Sequence, residues 1–179
     1  MAYTREQLKD LVARTAAQYG IDQSIALAQI QAESNFNPNA RSPVGAQGMF
    51  QFMPQTWAQW GSGSPFDPDA AAQAWGRYFS YILNKFGWNY GYALAGYNWG
   101  ENRNTLKQGY AAGKDVLSLS LPSETRNYVS KILGASATAI PTNGTDAISQ
   151  TFDDAPDEGS GLFLPIAIGA VLLLLLFSD

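Results

Sequence analysis

Residues 33–56 of the chain read ESNFNPNARSPVGAQGMFQFMPQT. Just upstream, Asp22 offers a helix cap, and Ile25, Ala26, Ala28, Ile30 and Ala32 are the small and aliphatic residues of a packed helix that carries Glu33 in its last turn. From Asn35 to Pro54, asparagine, proline, glycine and serine replace the helical period, which predicts a long turn region with room for short strands. Phe36, Met49, Phe50 and Phe52 are interspersed in it, and apolar residues at that density predict an ordered loop. A glutamate ending a helix is ordinarily solvated. Where an apolar helix runs into an aromatic loop the carboxyl loses water instead, and desolvation raises its pKa toward neutrality.

Outward from this segment the chain reads as a series of helices, so the domain is mainly α. Thr4 followed by Gln7 is a capping-box pattern, and Leu8, Leu11, Val12 and Tyr19 hold a helical period until Gly20 stops it. A short helix is expected around Gln55 to Trp60. Asp67-Pro68 supplies a cap and first-turn proline for a helix turning Trp75, Tyr78, Phe79, Ile82, Leu83 and Phe86 inward, ending near Gly87. Further helices are expected from about Asn89 to Trp99, after Glu101, and from about Pro122 to Leu133.

Composition narrows the chemistry. The chain has neither cysteine nor histidine, which removes thiol nucleophiles, disulfides, histidine-based triads and the usual zinc ligand sets together. Catalysis then rests on carboxylates, hydroxyls, tyrosines, lysines or the backbone. All 11 lysines and arginines lie between Arg5 and Lys131 beside nine acids, a surplus of two positive charges, whereas six acids and no cation occupy the chain from Asp146 on. No lysine and arginine cluster forms a nucleic-acid footprint, so nucleic acid is not an expected partner. A mildly basic front segment suits an anionic polymer, although charge alone reads first as an ordinary solvated surface.

Four separate motifs give these features a family context. The quoted segment, with Glu33-Ser34 followed by Gly45-Ala46-Gln47-Gly48-Met49-Phe50-Gln51-Phe52-Met53-Pro54 and Thr56, resembles the soluble lytic transglycosylase family, with its Glu-Ser and Gly-Ala-x-Gly-Leu-Met-Gln-x-Met-Pro-x-Thr pattern. Ala95-Gly96-Tyr97-Asn98-Trp99-Gly100 resembles that family's Ala-Tyr-Asn-x-Gly motif, and Pro122-Ser123-Glu124-Thr125 with Tyr128-Val129 resembles its Pro-x-Glu-Thr-x-x-Tyr-Val helix. Asp67-Pro68 with Tyr78 is similar to its Asp-Pro helix start. The likeness covers about residues 3 to 135. Phe50, Ala71-Ala72 and Trp75 depart from the family's usual leucine, Asn-Ile and glycine, and they fall mainly on a packing helix.

The resemblance implies a lysozyme-like fold of the goose-type kind and cleavage of peptidoglycan glycan strands. Glu33 would be the catalytic residue, protonating the oxygen between N-acetylmuramic acid and N-acetylglucosamine and then taking the proton of the muramoyl C6 hydroxyl as that hydroxyl attacks C1. The product would be a 1,6-anhydro sugar, made without water, so one carboxyl serves both steps. Ser42 and Gln51 would hydrogen-bond the substrate, Met49 would border the cleft, Tyr97 and Asn98 would line the site opposite Glu33, and Glu124 would stand near it in a structural or supporting part. A core position is the lesser alternative for Met49 and Tyr97, since methionine and aromatic residues fill interiors by default. The five tryptophans at helical spacing read as core, with Trp99 the one stacking candidate. No metal and no organic cofactor is implied. A hydrolytic muramidase and an inactive peptidoglycan-binding or structural virion protein are the other readings.

The organisation expected is a transglycosylase domain over residues 1–135, a flexible acidic linker over 136–161 and a hydrophobic helix over 162–177. That last run, LFLPIAIGAVLLLLLF, is 16 residues without a charge, roughly 24 Å as a helix against about 30 Å of bilayer hydrocarbon. It reads as a C-terminal anchor in a lipid bilayer, with burial against a partner protein as the alternative. The N-terminus, MAYTREQLKDLV, shows no apolar leader. Together these lead to the expectation of a virion component of a bacteriophage with an internal membrane, beside other virion membrane proteins, opening the wall locally for genome entry. A bacterial envelope location is the alternative.

Overall fold

The computed structural model describes residues 3–138, which fold into seven α-helices and one short 3-10 turn. Residues 1–2 and 139–179 lie outside the described residues, and with them most of the expected linker and the whole apolar run 162–177. Among the described residues no helix is long and apolar enough to cross a membrane.

Helix α1 (Arg5–Gln18) starts on the expected capping box: the Thr4 hydroxyl accepts from the Gln7 amide while the Gln7 side chain accepts from the Thr4 amide. Helix α2 (Gln23–Ser34) starts at Asp22, whose carboxylate accepts from the Ser24 and Ile25 amides. Each cap satisfies first-turn N–H groups that have no partner within the helix. Helix α2 ends where Asn35 and Phe36 both turn left-handed, at φ 53° and 60°. Asparagine tolerates that region but phenylalanine does so at a cost. The turn is held from α1, because the Arg5 guanidinium donates to the Asn35 carbonyl and side chain and lies over the Phe36 ring.

Residues 35–53 form the ordered loop that the interspersed aromatics predict, with isolated antiparallel bridges pairing Arg41 with Gln47 and Gln47 with Phe52. Phe36, Met49, Phe50 and Phe52 are all buried. Gly48, at φ +74°, lies so close to the 65–66 backbone that a Cβ there would stand 1.9 Å from the Pro65 oxygen. Only glycine permits that approach.

Helix α3 (Pro54–Trp60) leads to α4 (Pro68–Lys85), capped by Asp67 with Pro68 in its first turn. All six expected inward residues of this helix and its end are buried. Trp75 stacks between Phe50 and Phe79, with ring centroids 5.5 and 5.7 Å away. Helix α5 (Tyr90–Trp99) is buried along nearly its whole length, as a helix apolar on every side must be. Helix α6 (Asn104–Ala111) and the 3-10 turn Val116–Ser118 close over it. Helix α7 (Ser123–Thr138) packs against both α2 and α5. It runs past Leu133, where the sequence period breaks at Gly134, and the Ser136 hydroxyl bonds back to the Ile132 carbonyl within the added turn. The consequence for the site is that α2, α5, α7 and the 35–53 loop converge on the C-terminal end of α2.

Candidate active site

Glu33 is 2% exposed. Burial pushes its carboxyl up to about 8, and a hydrogen bond from Tyr128 opposes part of that rise. The Tyr128 hydroxyl, from α7, donates to Glu33 Oε1 at 2.5 Å. Oε2 is buried and has no hydrogen-bond partner. Accepting from the phenol occupies Oε1, which leaves Oε2 as the oxygen open to carry the proton of the acid form. Buried polar atoms are almost always paired, and Glu33 Oε2 is one of the exceptions among the described residues.

Tyr97 comes from α5 and donates to the Phe50 carbonyl at 2.8 Å. The charge of Glu33 reaches both phenols: Tyr97 and Tyr128 are raised well above the usual tyrosine value, first by burial and next by Glu33. Neither phenol ionises near neutral pH, so Glu33 is the titrating group of this cluster. Asn98 follows Tyr97; its Oδ1 accepts from the Thr125 hydroxyl at 2.7 Å, leaving Nδ2 buried and unpartnered.

The 35–53 loop is tied to the same place. Ser34 Oγ donates to the Met49 carbonyl at 2.7 Å and accepts from the Asn37 amide, fastening the loop to the end of α2. Gln51 is buried with left-handed backbone at φ 50°, and its Nε2 donates to the Gly48 carbonyl at 2.8 Å. Its Oε1 is another buried atom without a partner. Strain of this kind persists where the surroundings over-determine the conformation, here through the two backbone hydrogen bonds between Gln47 and Phe52.

Glu33, Gln51, Tyr97 and Asn98 are all buried, and three of them carry a polar atom without a hydrogen-bond partner. Ser42 is buried, and its hydroxyl accepts from the Ala46 amide at 2.9 Å, closing the 42–46 turn while its O–H stays available to donate. Met49 does not border a cleft: it is 0% exposed and belongs to the core, while Met53, four residues on, is half-buried. In a loop without period, nothing local distinguishes the two. Glu124 is exposed on the first turn of α7; the residue of that turn that enters the buried cluster is Thr125. Trp99 is half-buried with the Arg103 guanidinium over its ring.

Tyr128 and Thr125 belong to the Pro-x-Glu-Thr-x-x-Tyr-Val resemblance, which implies no role for either, and Gln29 falls in none of the motifs. Gln29 is fully buried on α2, one turn before Glu33 on the same face. A wholly buried glutamine inside an apolar helix was the available signal.

Comparison with known proteins agrees with this geometry. The family model described as the transglycosylase SLT domain matches residues 10–118. The soluble lytic murein transglycosylase of Escherichia coli K12 is 36% identical over 142 residues, covering 72% of this chain and 22% of that protein. A transglycosylase of Enterobacteria phage PRD1 is 26% identical over 141 residues, covering 78% of this chain and 50% of that one. The crystal structure of the 70-kDa soluble lytic transglycosylase from E. coli superposes with a TM-score of 0.61 at 33% identity, over 74% of this chain and 24% of the other. The chain thus spans about a fifth of the length of its enterobacterial relatives.

Proposed function

The chain belongs to the transglycosylase SLT domain family, and from that premise we propose that it cleaves peptidoglycan between N-acetylmuramic acid and N-acetylglucosamine, leaving 1,6-anhydromuramoyl ends. The observation that carries the reading is Glu33, the one buried carboxyl among the described residues, pushed up to about 8 by burial, with one oxygen accepting from Tyr128 and the other without a partner.

Such a group can protonate the glycosidic oxygen as that bond breaks. The resulting carboxylate is stabilised by Tyr128 through Oε1 and then accepts the proton of the C6 hydroxyl as it closes on C1. The acid is regenerated and no water is consumed. A hydrolase of the two-carboxylate kind sets its second acid roughly 5–10 Å from the first, and such a neighbour would raise Glu33 by charge. Burial and Tyr128 are the causes that act on Glu33. Glu101 meanwhile accepts from Tyr78 and Asn102. This favours the one-acid mechanism over the muramidase reading.

The unpartnered Gln51 Oε1 and Asn98 Nδ2 supply one acceptor and one donor, suited to an amide N–H and a carbonyl such as those of an acetamido group. Intramolecular attack gains about 7–11 kcal/mol from orientation when the reacting groups are well placed, and these two side chains would provide it.

We further propose that residues 162–177 tether the domain to a lipid bilayer, and that the protein acts as a phage virion component opening the wall during genome entry. The uncharged run in the sequence and the kinship with a phage transglycosylase support this placement. Its test is the detection of the chain in the membrane fraction of purified particles; recovery only from host cytosol would refute it.

The activity is tested by mass spectrometry of muropeptides released from purified peptidoglycan by the full chain, with Glu33→Gln as control. Anhydromuramoyl ends from the wild type alone support the proposal. Reducing ends would make it a muramidase, and no release by either would favour a binding protein.

A further inference from the structure

Helix α3 begins three residues after Gln51 and carries Trp60 at its far end. The Trp60 ring lies 5.3 Å from that of Tyr78 and 5.1 Å from that of Tyr81, both on α4. Tyr78 is buried and its ring stands 5.4 Å from Tyr97 in the candidate active site. Trp60 is half-buried, and Tyr81 is 42% exposed. A line of ring contacts thus runs from the wall of the site, through Tyr78, to an aromatic pair at the surface.

Two cations flank that pair. Arg77, Tyr81 and Lys85 follow at intervals of four on α4 and share one face of it, a stretch of about 12 Å. The Arg77 guanidinium donates to the Trp60 carbonyl at 2.8 Å, which fastens the end of α3 to α4. The Lys85 ammonium donates to Asn102 Oδ1 at 2.7 Å and lies 5.7 Å from the centre of the Tyr81 ring. Both cations are held by neutral groups, and neither is ion-paired among the described residues. Glu101, the acid on this side, has its oxygens taken by Tyr78 and Asn102.

We propose that Trp60 and Tyr81 form an outer subsite for the glycan strand, on which a sugar beyond those at the cleaved bond lays its apolar face. This rests on peptidoglycan being the substrate. Glu33, Gln51 and Asn98 are buried and serve the sugars at the cleaved bond; a polymer continues past them, and its further rings lie on the surface beside the site. The aromatic pair occupies that surface by two routes, along α3 from the Gln51 loop and through Tyr78 from Tyr97. A pyranose carries C–H groups on its faces and polar groups at its rim, which matches tryptophan and tyrosine rings with an apolar body and a polar edge. Aromatic walls with a few placed polar groups are the usual makeup of such sites. Two cations without acid partners suit a strand whose peptide stems carry carboxylates better than a neutral one.

The test uses the full chain carrying Glu33→Gln, so that strands bind without being cut, and measures the Kd of purified peptidoglycan strands in two length classes, short ones of two disaccharide units and long ones of five or more. Tyr81→Ala and Trp60→Ala are each introduced into that background. Each weakens binding of the long strands by roughly three- to tenfold, and the advantage of long strands over short ones shrinks by the same factor. Tyr81→Phe keeps the ring and recovers the affinity. An unchanged Kd for long strands in Tyr81→Ala, or an equal loss for short and long strands, overturns the proposal. Tyr81 is exposed on α4, so the test stands if Trp60→Ala does not fold. Because binding is read without turnover, its outcome is separate from whether the wild type releases anhydromuramoyl or reducing ends.

Discussion

The Tyr128 hydroxyl donates to Glu33 Oε1 at 2.5 Å across 95 residues of chain, and in doing so it divides the two oxygens of one buried carboxyl into a held atom and a free one. Replacing Tyr128 by phenylalanine removes the one influence that opposes burial at Glu33. The carboxylate form becomes dearer, so the Glu33 pKa climbs above about 8. The alkaline limb of the activity profile should move up by about one pH unit, while kcat falls roughly tenfold because the acid loses its fixed orientation. A pH series of initial rates checks both.

Glu33→Gln should abolish activity by about 10²–10⁴-fold and yet stabilise the fold above neutrality. Glu33 titrates near 4.5 when unfolded and near 8 when folded. Between those values the unfolded state has shed its proton and the folded state keeps it, so wild-type stability declines as pH rises through the window. The amide carries no such dependence. Urea unfolding at pH 5 and pH 8 should show a gain for the variant on the order of 1–3 kcal/mol at the higher pH and little at the lower. A variant less stable than wild type at pH 8 would contradict the buried neutral acid.

Thr125→Val deletes the donor that orients Asn98. Asn98 Oδ1 is then left buried without a partner at a cost of about 1–3 kcal/mol, and the amide is free to turn over. The expected result is a roughly tenfold loss in kcat/KM, recovered by Thr125→Ser, which restores the hydroxyl. Equal losses for valine and serine would show that packing rather than the hydrogen bond matters.

Gly48→Ala should prevent the 35–53 loop from closing, since the added methyl would overlap the Pro65 oxygen and the residue would be held at φ +74°. Backbone strain and overlap together cost more than about 2 kcal/mol. Thermal unfolding measures it, and loss of activity at temperatures where the variant remains folded would show that Gln51 has moved with the loop.

Much of this protein is written locally. Thr4 with Gln7, Asp22, Asp67-Pro68 and Asn89 mark their helix starts because a cap is a contact between residues two or three apart. The inward face of α4 follows from helical spacing alone. Where the signal was local but incomplete, the sequence reading fell short: Gly134 looks like a stop, yet α7 runs through it to Thr138. Met49 was placed at a cleft that packing denies it, since within an irregular loop the inward side of each residue is set by the helices beneath.

By itself the sequence determined the helical architecture, the family, the single acid at the end of α2 and the loop that follows it, all through short-range patterns. Only the tertiary structure decided that burial raises Glu33, which of its oxygens is free, and that Tyr128 holds the other. The reason is physical: desolvation is a sum over every neighbour, and a hydrogen bond between α2 and α7 exists only once both helices have packed.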